Sequence, residues 1–292
     1  MRRQDLPRHP VVAQAAHALK TGMAPPSIQW QAEALWESVQ PLLAGFTVEV
    51  LSEIDSTNTE LMRRARAGQL EPVLLVAEWQ TAGRGRLGRE WISGDATVHA
   101  AGPDQTAAAL PSLMFSLGLP LSPVDWSGLS LAVGLSVVQS LHADLQLKWP
   151  NDVWFQGRKL AGILIETASV GALRYAVVGI GINMTARDAT GLRTPPAALN
   201  EVLPGVDAPA ALARVLLPLV CAIQRFEADG FAPLRQEFHA RDLLYGCEVT
   251  CSDGVTGMAR GVDGGGALLV HTEQGLKKIS SAEVSVRPVA PQ

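Results

Sequence analysis

The sequence has few cysteines and no long apolar run. Its three cysteines, Cys221, Cys247 and Cys251, cannot all pair with one another, and they form no C-x-x-C metal motif. No stretch approaches ~20 uninterrupted apolar residues, and the charged first ten residues lack the apolar segment of an export signal. We therefore expect reduced thiols, no metal cluster and a soluble protein located in the cytoplasm, without a membrane partner.

Positive charge is also limited. The formal net charge is -4, which argues against a surface built wholly to hold nucleic acid, so any basic site must be local. Lysine is scarce because arginine supplies most of the positive charge, and Lys148 and Lys159 lie close together. A single lysine usually lies on a solvated surface, so it is their shared motif that makes these two candidates for a site.

Three regions follow one another along the 292 residues. Residues 1–47 contain two helix-like pieces, around 11–20 and 29–44, separated by an Ala-Pro-Pro-Ser breaker. Residues 48–242 mix strand and helix patterns. Residues 243–292 show five short strand signals separated by glycine turns, which is typical of a small barrel.

The middle region predicts an α+β arrangement. Hydrophobic periodicity and breakers predict strands at 47–54, 72–79, 113–121, 145–148, 153–155, 160–167 and 174–183. They predict N-cap residues at 55–58 ahead of a helix that runs through about Ala67, and further helices at 127–143, 208–229 and 231–242. Residues 94–110 and 185–205 are predicted to be a long loop or insertion and a mobile loop.

A loop of glycines and arginines follows the second predicted strand. It matches G-x-G-x-x-G at Gly83, Gly85 and Gly88, but no helix pattern follows, so a dinucleotide-binding fingerprint is rejected. It also lacks the G-K-[ST] ending of a P-loop. Flexible glycines alternate here with guanidinium groups that repel one another, so we expect the loop to become ordered on an anionic ligand. A contact with nucleic acid remains an alternative.

A second set of residues combines two lysines with a strand that lacks a side chain at one position. The segment KWPND at 148–152 is followed, after a short hairpin, by KLAGIL at 159–164. Gly162 leaves room for a ligand to approach the backbone. Together with S-T-N at 56–58, Gln80, GRGRLGREW at 83–91 and GIGINM at 179–184, these motifs resemble the biotin protein ligases from about residue 51 to residue 287.

The resemblance implies both a fold and an activity. The fold would be α+β, with a mixed β-sheet catalytic domain of the biotin/lipoate ligase type at 48–242, an SH3-like β-barrel at 243–292 and a helical extension at 1–47. The activity would be ATP-dependent formation of biotinyl-5′-AMP, followed by transfer of biotin to a lysine of a biotin carboxyl carrier protein. ATP would carry Mg²⁺, since the sequence offers no cluster of metal ligands.

The resemblance also assigns roles to individual residues. Lys159 and Arg86 would be catalytic, because positive charge lowers the repulsion between a carboxylate and the α-phosphate. Asn183 would contact adenine. The implied biotin-binding set is Ser56, Thr57, Asn58, Gln80, Arg84, Gly85, Arg86 and Lys159; the implied nucleotide-binding set is Arg86, Trp91, Lys148, Asn151, Asp152 and Asn183.

The expected partner is the biotin carboxyl carrier domain of acetyl-CoA carboxylase or a related carboxylase, and the protein would be a monomer or homodimer. DNA binding is not expected, because some 47 residues broken by two prolines cannot easily form a winged helix-turn-helix. Two other functions remain open: a lipoate or octanoate protein ligase or transferase, and a non-catalytic regulator that binds biotinyl adenylate.

Overall fold

The computed structural model describes residues 28–94, 110–186, 196–280 and 286–288. These residues form a seven-stranded sheet, a five-stranded sheet and the helices packed on them. The helical piece predicted at 11–20 lies outside the described residues, as do most of the predicted loop at 94–110 and the middle of the predicted loop at 185–205.

The elements are numbered here in chain order. The α-helices are α1 (Ala32–Val39), α2 (Thr57–Arg66), α3 (Leu129–Leu141), α4 (Leu199–Val202), α5 (Ala208–Asp229) and α6 (Arg235–His239). The strands are β1 (Thr47–Ile54), β2 (Val73–Gln80), β3 (Ser112–Pro120), β4 (Gln146–Lys148), β5 (Asp152–Phe155), β6 (Arg158–Val170), β7 (Leu173–Asn183), β8 (Glu248–Cys251), β9 (Thr256–Val262), β10 (Leu268–Thr272), β11 (Gly275–Ile279) and β12 (Val286–Pro288). Short 3₁₀ turns occupy Arg86–Gly88 and Ala232–Leu234.

The large sheet is mixed, and it confirms the predicted α+β class. Its strand order is β1-β2-β3-β7-β6-β5-β4. Strands β1 and β2 are parallel, and α2 forms the crossover between them. Every other neighbouring pair in this sheet is antiparallel. The β3 and β7 strands at its centre are long and apolar, as expected for strands buried on both faces, whereas β6 beside them is only partly buried.

The main core lies between this sheet and helices α3 and α5. Almost every residue of α3 is buried, and nine side chains of α5 are buried along one face. Helix α5 has the length and apolar composition of a membrane-crossing helix, but its buried face marks it as a core helix of this fold. Leu35 and Val39 of α1 join the same cluster, so the described part of the N-terminal region packs onto the catalytic core.

Two predictions of local structure were wrong. The loop predicted at 185–205 contains helix α4, because Glu201 caps its first turn by accepting from the backbone N–H of Ala198 at 2.8 Å and also pairs with Arg158. The helix predicted at 231–242 ends at His239, because the following residues pair with β4 instead. The N–H of Leu147 donates to the carbonyl of Arg241 at 2.8 Å.

The C-terminal sheet is antiparallel throughout, with strand order β11-β10-β9-β8-β12. It matches the predicted small SH3-like domain. Trp149, which is fully buried in the turn after β4, donates from its indole Nε1 to the carbonyl of Gly266 at 3.0 Å. Val249 and Val270 continue the main core, so the small sheet packs directly beside the KWPND turn.

Candidate functional site

One cleft contains all the predicted site residues except Asn183. It lies where the start of α2 and the glycine and arginine loop meet strands β6 and β7 and the turn between β4 and β5. Its residues separate into a neutral polar end, an apolar middle and a cationic end.

The neutral end is built at the N-terminus of α2. Ser56, Thr57 and Asn58 are all buried, and Ser56 caps the helix by accepting from the N–H of Thr59 at 3.4 Å. The N–H of Thr57 donates to Oε1 of Gln80 at 2.7 Å. Because this contact fixes the amide oxygen of Gln80, its Nε2 hydrogens are left to donate elsewhere in the cleft.

Ser116 of β3 connects two residues of this end. Its Oγ lies 2.7 Å from Oγ1 of Thr57 and 2.6 Å from Oδ1 of Asn58, and Ser116 is fully buried. Gly179 of β7 leaves the space that Asn58 fills, since a Cβ at this position would lie 2.0 Å from Oδ1 of Asn58. The polar end is therefore a packed hydrogen-bond network whose side chains have fixed orientations.

The glycine and arginine loop forms a closed hairpin. The N–H of Gly85 donates to the carbonyl of Arg89 at 2.7 Å, and the N–H of Trp91 donates to the carbonyl of Gly83 at 2.9 Å. Leu87 at its tip has a positive φ of 58° and is half exposed. The loop does not continue into an α-helix, which agrees with the rejection of a dinucleotide-binding fingerprint.

Arg84 and Arg86 extend from this hairpin in different directions. Nη1 of Arg84 lies 3.2 Å from Oε1 of Glu166 on β6. Nη1 of Arg86 donates to Oδ1 of Asn151 at 3.2 Å. Burial lowers the pKa of Arg86 from its usual value; Asp152 opposes this shift and Arg89 adds to it. Its guanidinium is thus a partly desolvated cation, which attracts an anion more strongly than a solvated one.

Lys159 and Asp152 form an ion pair on neighbouring strands. Their Nζ and Oδ1 atoms are 2.7 Å apart, and both side chains line the cleft. Lys148 places its ammonium 4.5 Å from the centre of the Trp154 ring, a cation–π distance. Asp152 therefore orients one cation of the KWPND and KLAGIL motifs, and an aromatic ring orients the other.

The middle of the cleft is apolar because two glycines face each other across β6 and β7. Gly162 and Gly181 are directly paired, and the ring of Trp91 lies on both. A Cβ on Gly181 would lie 2.4 Å from the ring, so only glycine allows Trp91 this position. Phe115 and Ile180 complete the apolar surface.

Asn183 lies at the end of β7, behind the cleft rather than along it. It is 2% exposed, and its Nδ2 donates to the carbonyl of Lys159 at 3.2 Å. It thereby supports the backbone of Lys159. The predicted contact with adenine stays a prediction.

Three polar residues that the motifs did not identify help to build the site. Ser93 bonds the backbone N–H and carbonyl of Gln80 through its Oγ, at 3.1 and 2.9 Å. Ser116 and Glu166 contact Asn58. A signal for Ser116 was present, because it is a polar residue within an apolar strand, where a buried polar group needs a partner. Glu166 gave no such signal, since Thr167 and Ser169 follow it in β6.

The arrangement suits one kind of ligand. A neutral head with hydrogen-bond donors and acceptors fits the polar end, an apolar body fits beside Phe115 and Ile180, and an anionic tail reaches Arg86 and Lys159. A second, polyanionic ligand fits the same cations. Two acids held together in this way are placed to react.

Comparisons with known proteins agree with this chemistry. Residues 50–183 match the family model described as Biotin/lipoate A/B protein ligase family, and residues 247–287 match the model for the biotin protein ligase C terminal domain. The chain is 35% identical over 256 residues to the bifunctional ligase/repressor BirA of Escherichia coli, covering 84% of this chain and 75% of that protein.

Other relatives match over nearly their whole length. The biotin–[acetyl-CoA-carboxylase] ligase of Paracoccus denitrificans is 35% identical over 248 residues, covering 80% of this chain and 98% of that protein. Among solved structures, the biotin protein ligase from Aquifex aeolicus in complex with biotin and ATP has a TM-score of 0.68 and 30% identity, covering 83% of this chain and 99% of that one.

Proposed function

Because the chain belongs to the biotin protein ligase family, we propose that it uses ATP, bound with Mg²⁺, to activate biotin and then attaches the biotin to a lysine of a biotin carboxyl carrier protein. The single observation that carries the proposal is the cleft, which joins a neutral polar end to a cationic end through an apolar middle. Biotin has the same three parts, in the order ureido ring, hydrocarbon body and carboxylate.

The polar end binds the ureido ring. Gln80 offers its Nε2 hydrogens to the ureido carbonyl, because its oxygen is held by Thr57. Ser56 and Asn58 complete the set. A buried urea that lacked such partners would cost ~1–3 kcal/mol for each unpaired group. The backbone at Gly85 and the side chain of Arg84 close over the vitamin from the glycine and arginine loop.

Activation takes place at the cationic end. A carboxylate oxygen of biotin attacks the α-phosphorus of ATP, pyrophosphate leaves, and biotinyl-5′-AMP is formed. Arg86 and Lys159 reduce the repulsion between the two anions and stabilise the charge of the transition state. Trp91, Lys148, Asn151 and Asp152 form the nucleotide side of the cleft. Asn183, which supports the backbone of Lys159, is the proposed contact for adenine.

In the second step the neutral amine of the acceptor lysine attacks the carbonyl of the mixed anhydride, and AMP leaves. The proposed acceptor is the biotin carboxyl carrier domain of acetyl-CoA carboxylase or a related carboxylase.

We place the enzyme in the cytoplasm as a monomer or homodimer, without a DNA or membrane partner. Its net charge of -4 offers no general attraction to phosphates.

We propose three units: a helical extension at 1–47, a catalytic domain at 48–242 and a C-terminal barrel at 243–292. The first contributes Leu35 and the last contributes Val249 to one shared core. We therefore expect the units to unfold together in a single cooperative transition.

A lipoate ligase is the nearest alternative, since the matched family includes both activities. The dithiolane ring of lipoate has no hydrogen-bonding N–H or carbonyl. It would leave the Gln80 amide donors without partners at the buried end, which favours biotin.

The test is to incubate the protein with ATP, Mg²⁺, an apo biotin carboxyl carrier domain and either biotin or lipoate. Pyrophosphate release and the mass of the acceptor are then measured. We expect biotinyl mass on the acceptor and one pyrophosphate for each transfer. Lipoyl mass without biotinyl mass would contradict the proposal, and adenylate that stays bound without transfer would indicate the regulator instead.

A further inference from the structure

Glu166 connects the polar end of the cleft to the glycine and arginine loop through the two oxygens of one carboxylate. Oε2 accepts from Nδ2 of Asn58 at 3.1 Å, and Oε1 lies 3.2 Å from Nη1 of Arg84. The side chain of Glu166 is only 21% exposed, whereas that of Arg84 is 49% exposed. Glu166 is not among the residues that line the cleft, so any effect on a ligand must pass through its two partners.

The first partner, Asn58, is held in one orientation. Its Nδ2 donates both to Oε2 of Glu166 and to the carbonyl of Leu164, at 3.2 Å for the latter, while its Oδ1 faces Ser116. A carboxylate and a carbonyl can only accept hydrogen bonds, so the NH₂ group must point at them. The amide oxygen of Asn58 therefore faces Ser116 and the space over Gly179, a glycine that lines the cleft, and it has one lone pair left to accept a hydrogen bond.

This orientation matters for the ureido ring, which has two N–H donors beside its carbonyl. Asn58 offers an acceptor and Gln80 offers donors, so the pair complements both types of group on the ring. If the amide of Asn58 turned over, a donor would face a ureido N–H and both would be unpaired. Glu166 supplies one of the two acceptors that prevent this.

The second partner, Arg84, belongs to the glycine and arginine hairpin. The ion pair with Glu166 anchors its guanidinium against β6 while the loop lies over the cleft. The same carboxylate thus orients the residue at the polar end and positions the loop that covers the ligand.

We infer that Glu166 is a positioning residue for biotin, which fixes Asn58 as a hydrogen-bond acceptor and Arg84 as the anchor of the covering loop. This inference rests on the proposed function and assigns a role within the same site. Because Glu166 acts before the reaction begins, it affects binding of the vitamin and leaves the chemical step nearly unchanged.

Two variants separate the two contacts. Glu166→Gln has one acceptor oxygen, so it keeps the bond to Asn58 and loses the ion pair with Arg84. We expect the KM for biotin to rise about two- to fivefold, as for a partly exposed ion pair. Glu166→Ala loses both contacts and leaves an N–H of Asn58 unpaired, so we expect a rise of about tenfold or more.

Steady-state kinetics with biotin, ATP and an apo carrier domain measure these effects. We expect kcat and the KM for ATP to stay within about twofold of wild type, because loss of uniform binding raises KM alone. In an Arg84→Ala background, Glu166→Gln should have no further effect. Glu248→Gln, an exposed glutamate on β8, is the matched control and should behave as wild type.

Thermal unfolding of each variant accompanies the kinetics, and Glu166→Gln serves if Glu166→Ala does not fold. A KM for biotin within twofold of wild type in the folded variants would overturn the inference. An equal rise in the KM for biotin and for ATP would also overturn it. If the folded wild-type protein fails to biotinylate the acceptor, the proposed function itself is wrong; if only the variants behave as wild type, the inference alone fails.

Discussion

Replacing Gly179 by alanine tests whether the polar end of the cleft needs its exact packing. The added methyl carbon would lie 2.0 Å from Oδ1 and 2.8 Å from Cγ of Asn58. Both distances are far below van der Waals contact, so the amide must move. It is held by Ser116, by Glu166 and by the carbonyl of Leu164. Displacing it breaks about two net hydrogen bonds, or about 1–3 kcal/mol.

If that free energy is lost from biotin binding, the dissociation constant rises about five- to 150-fold. Isothermal titration calorimetry with biotin measures this change, and thermal unfolding shows whether the variant is folded. The matched control is Gly264→Ala, whose methyl would lie 3.7 Å from its nearest neighbour, Cβ of Ala232. A folded Gly179→Ala protein that binds biotin within twofold of wild type would refute the reasoning.

Two further outcomes follow from single side chains. Burial raises the pKa of Asp242 from 3.8 to about 6, so the folded state binds this proton more tightly than the unfolded state. The protonated carboxyl group therefore adds to the free energy of unfolding below pH ~4, and this contribution is lost as the pH rises to ~6. Relative to wild type, Asp242→Asn should therefore gain about 2–3 kcal/mol between pH 4 and pH 7 in urea unfolding. A difference independent of pH would contradict the assignment. Gly181→Ala puts a methyl carbon 2.4 Å from the Trp91 ring, so the ring must move. The KM for ATP should then rise about tenfold or more. An unchanged KM for ATP would show that the ring is not part of the nucleotide side.

The sequence predicted the bounds of an element best where local patterns alone determine them. Strand β1 has the predicted bounds because its alternation and flanking polar residues agree. Helix α5 also has its predicted bounds despite Pro218, because Asp207 caps its start and its apolar face packs on the core. These elements needed no knowledge of distant partners.

Prediction was weaker where a distant contact decides the structure. Helix α6 ends at His239 because the following residues form hydrogen bonds with β4 near Asp242. The local sequence does not indicate this contact. Helix α4 is stabilised by the ion pair between Glu201 and Arg158, which are 43 residues apart. Contacts at such separation are set by tertiary packing rather than by local propensity.

The site shows the same division. The family resemblance pointed to Arg86, Lys159 and the residues around Ser56, because the motifs that carry it are short continuous stretches of chain. Of the supporting residues, Ser116 appears in the sequence only as a polar residue in an apolar strand, and Glu166 only as the first of several polar residues late in its strand. Their partners became evident when β3, β6 and α2 were seen side by side.

The central claim is that Lys159 brings two anions together for activation. Its ammonium lies 2.7 Å from Asp152, so removing it would also leave an uncompensated carboxylate beside the α-phosphate. Lys277 on the exposed strand β11 provides a matched Lys→Ala control. The two half-reactions can be separated by supplying biotinyl-5′-AMP directly, which bypasses activation.

The decisive measurement compares pyrophosphate release from biotin and ATP with transfer from supplied biotinyl-5′-AMP, in wild type, Lys159→Ala and Lys277→Ala. We expect Lys159→Ala to lose about 10²–10³-fold in pyrophosphate release, as when one group that stabilises transition-state charge is removed. Its transfer rate should stay within about tenfold of wild type. Normal pyrophosphate release by folded Lys159→Ala, or equal losses in both half-reactions, would contradict the account.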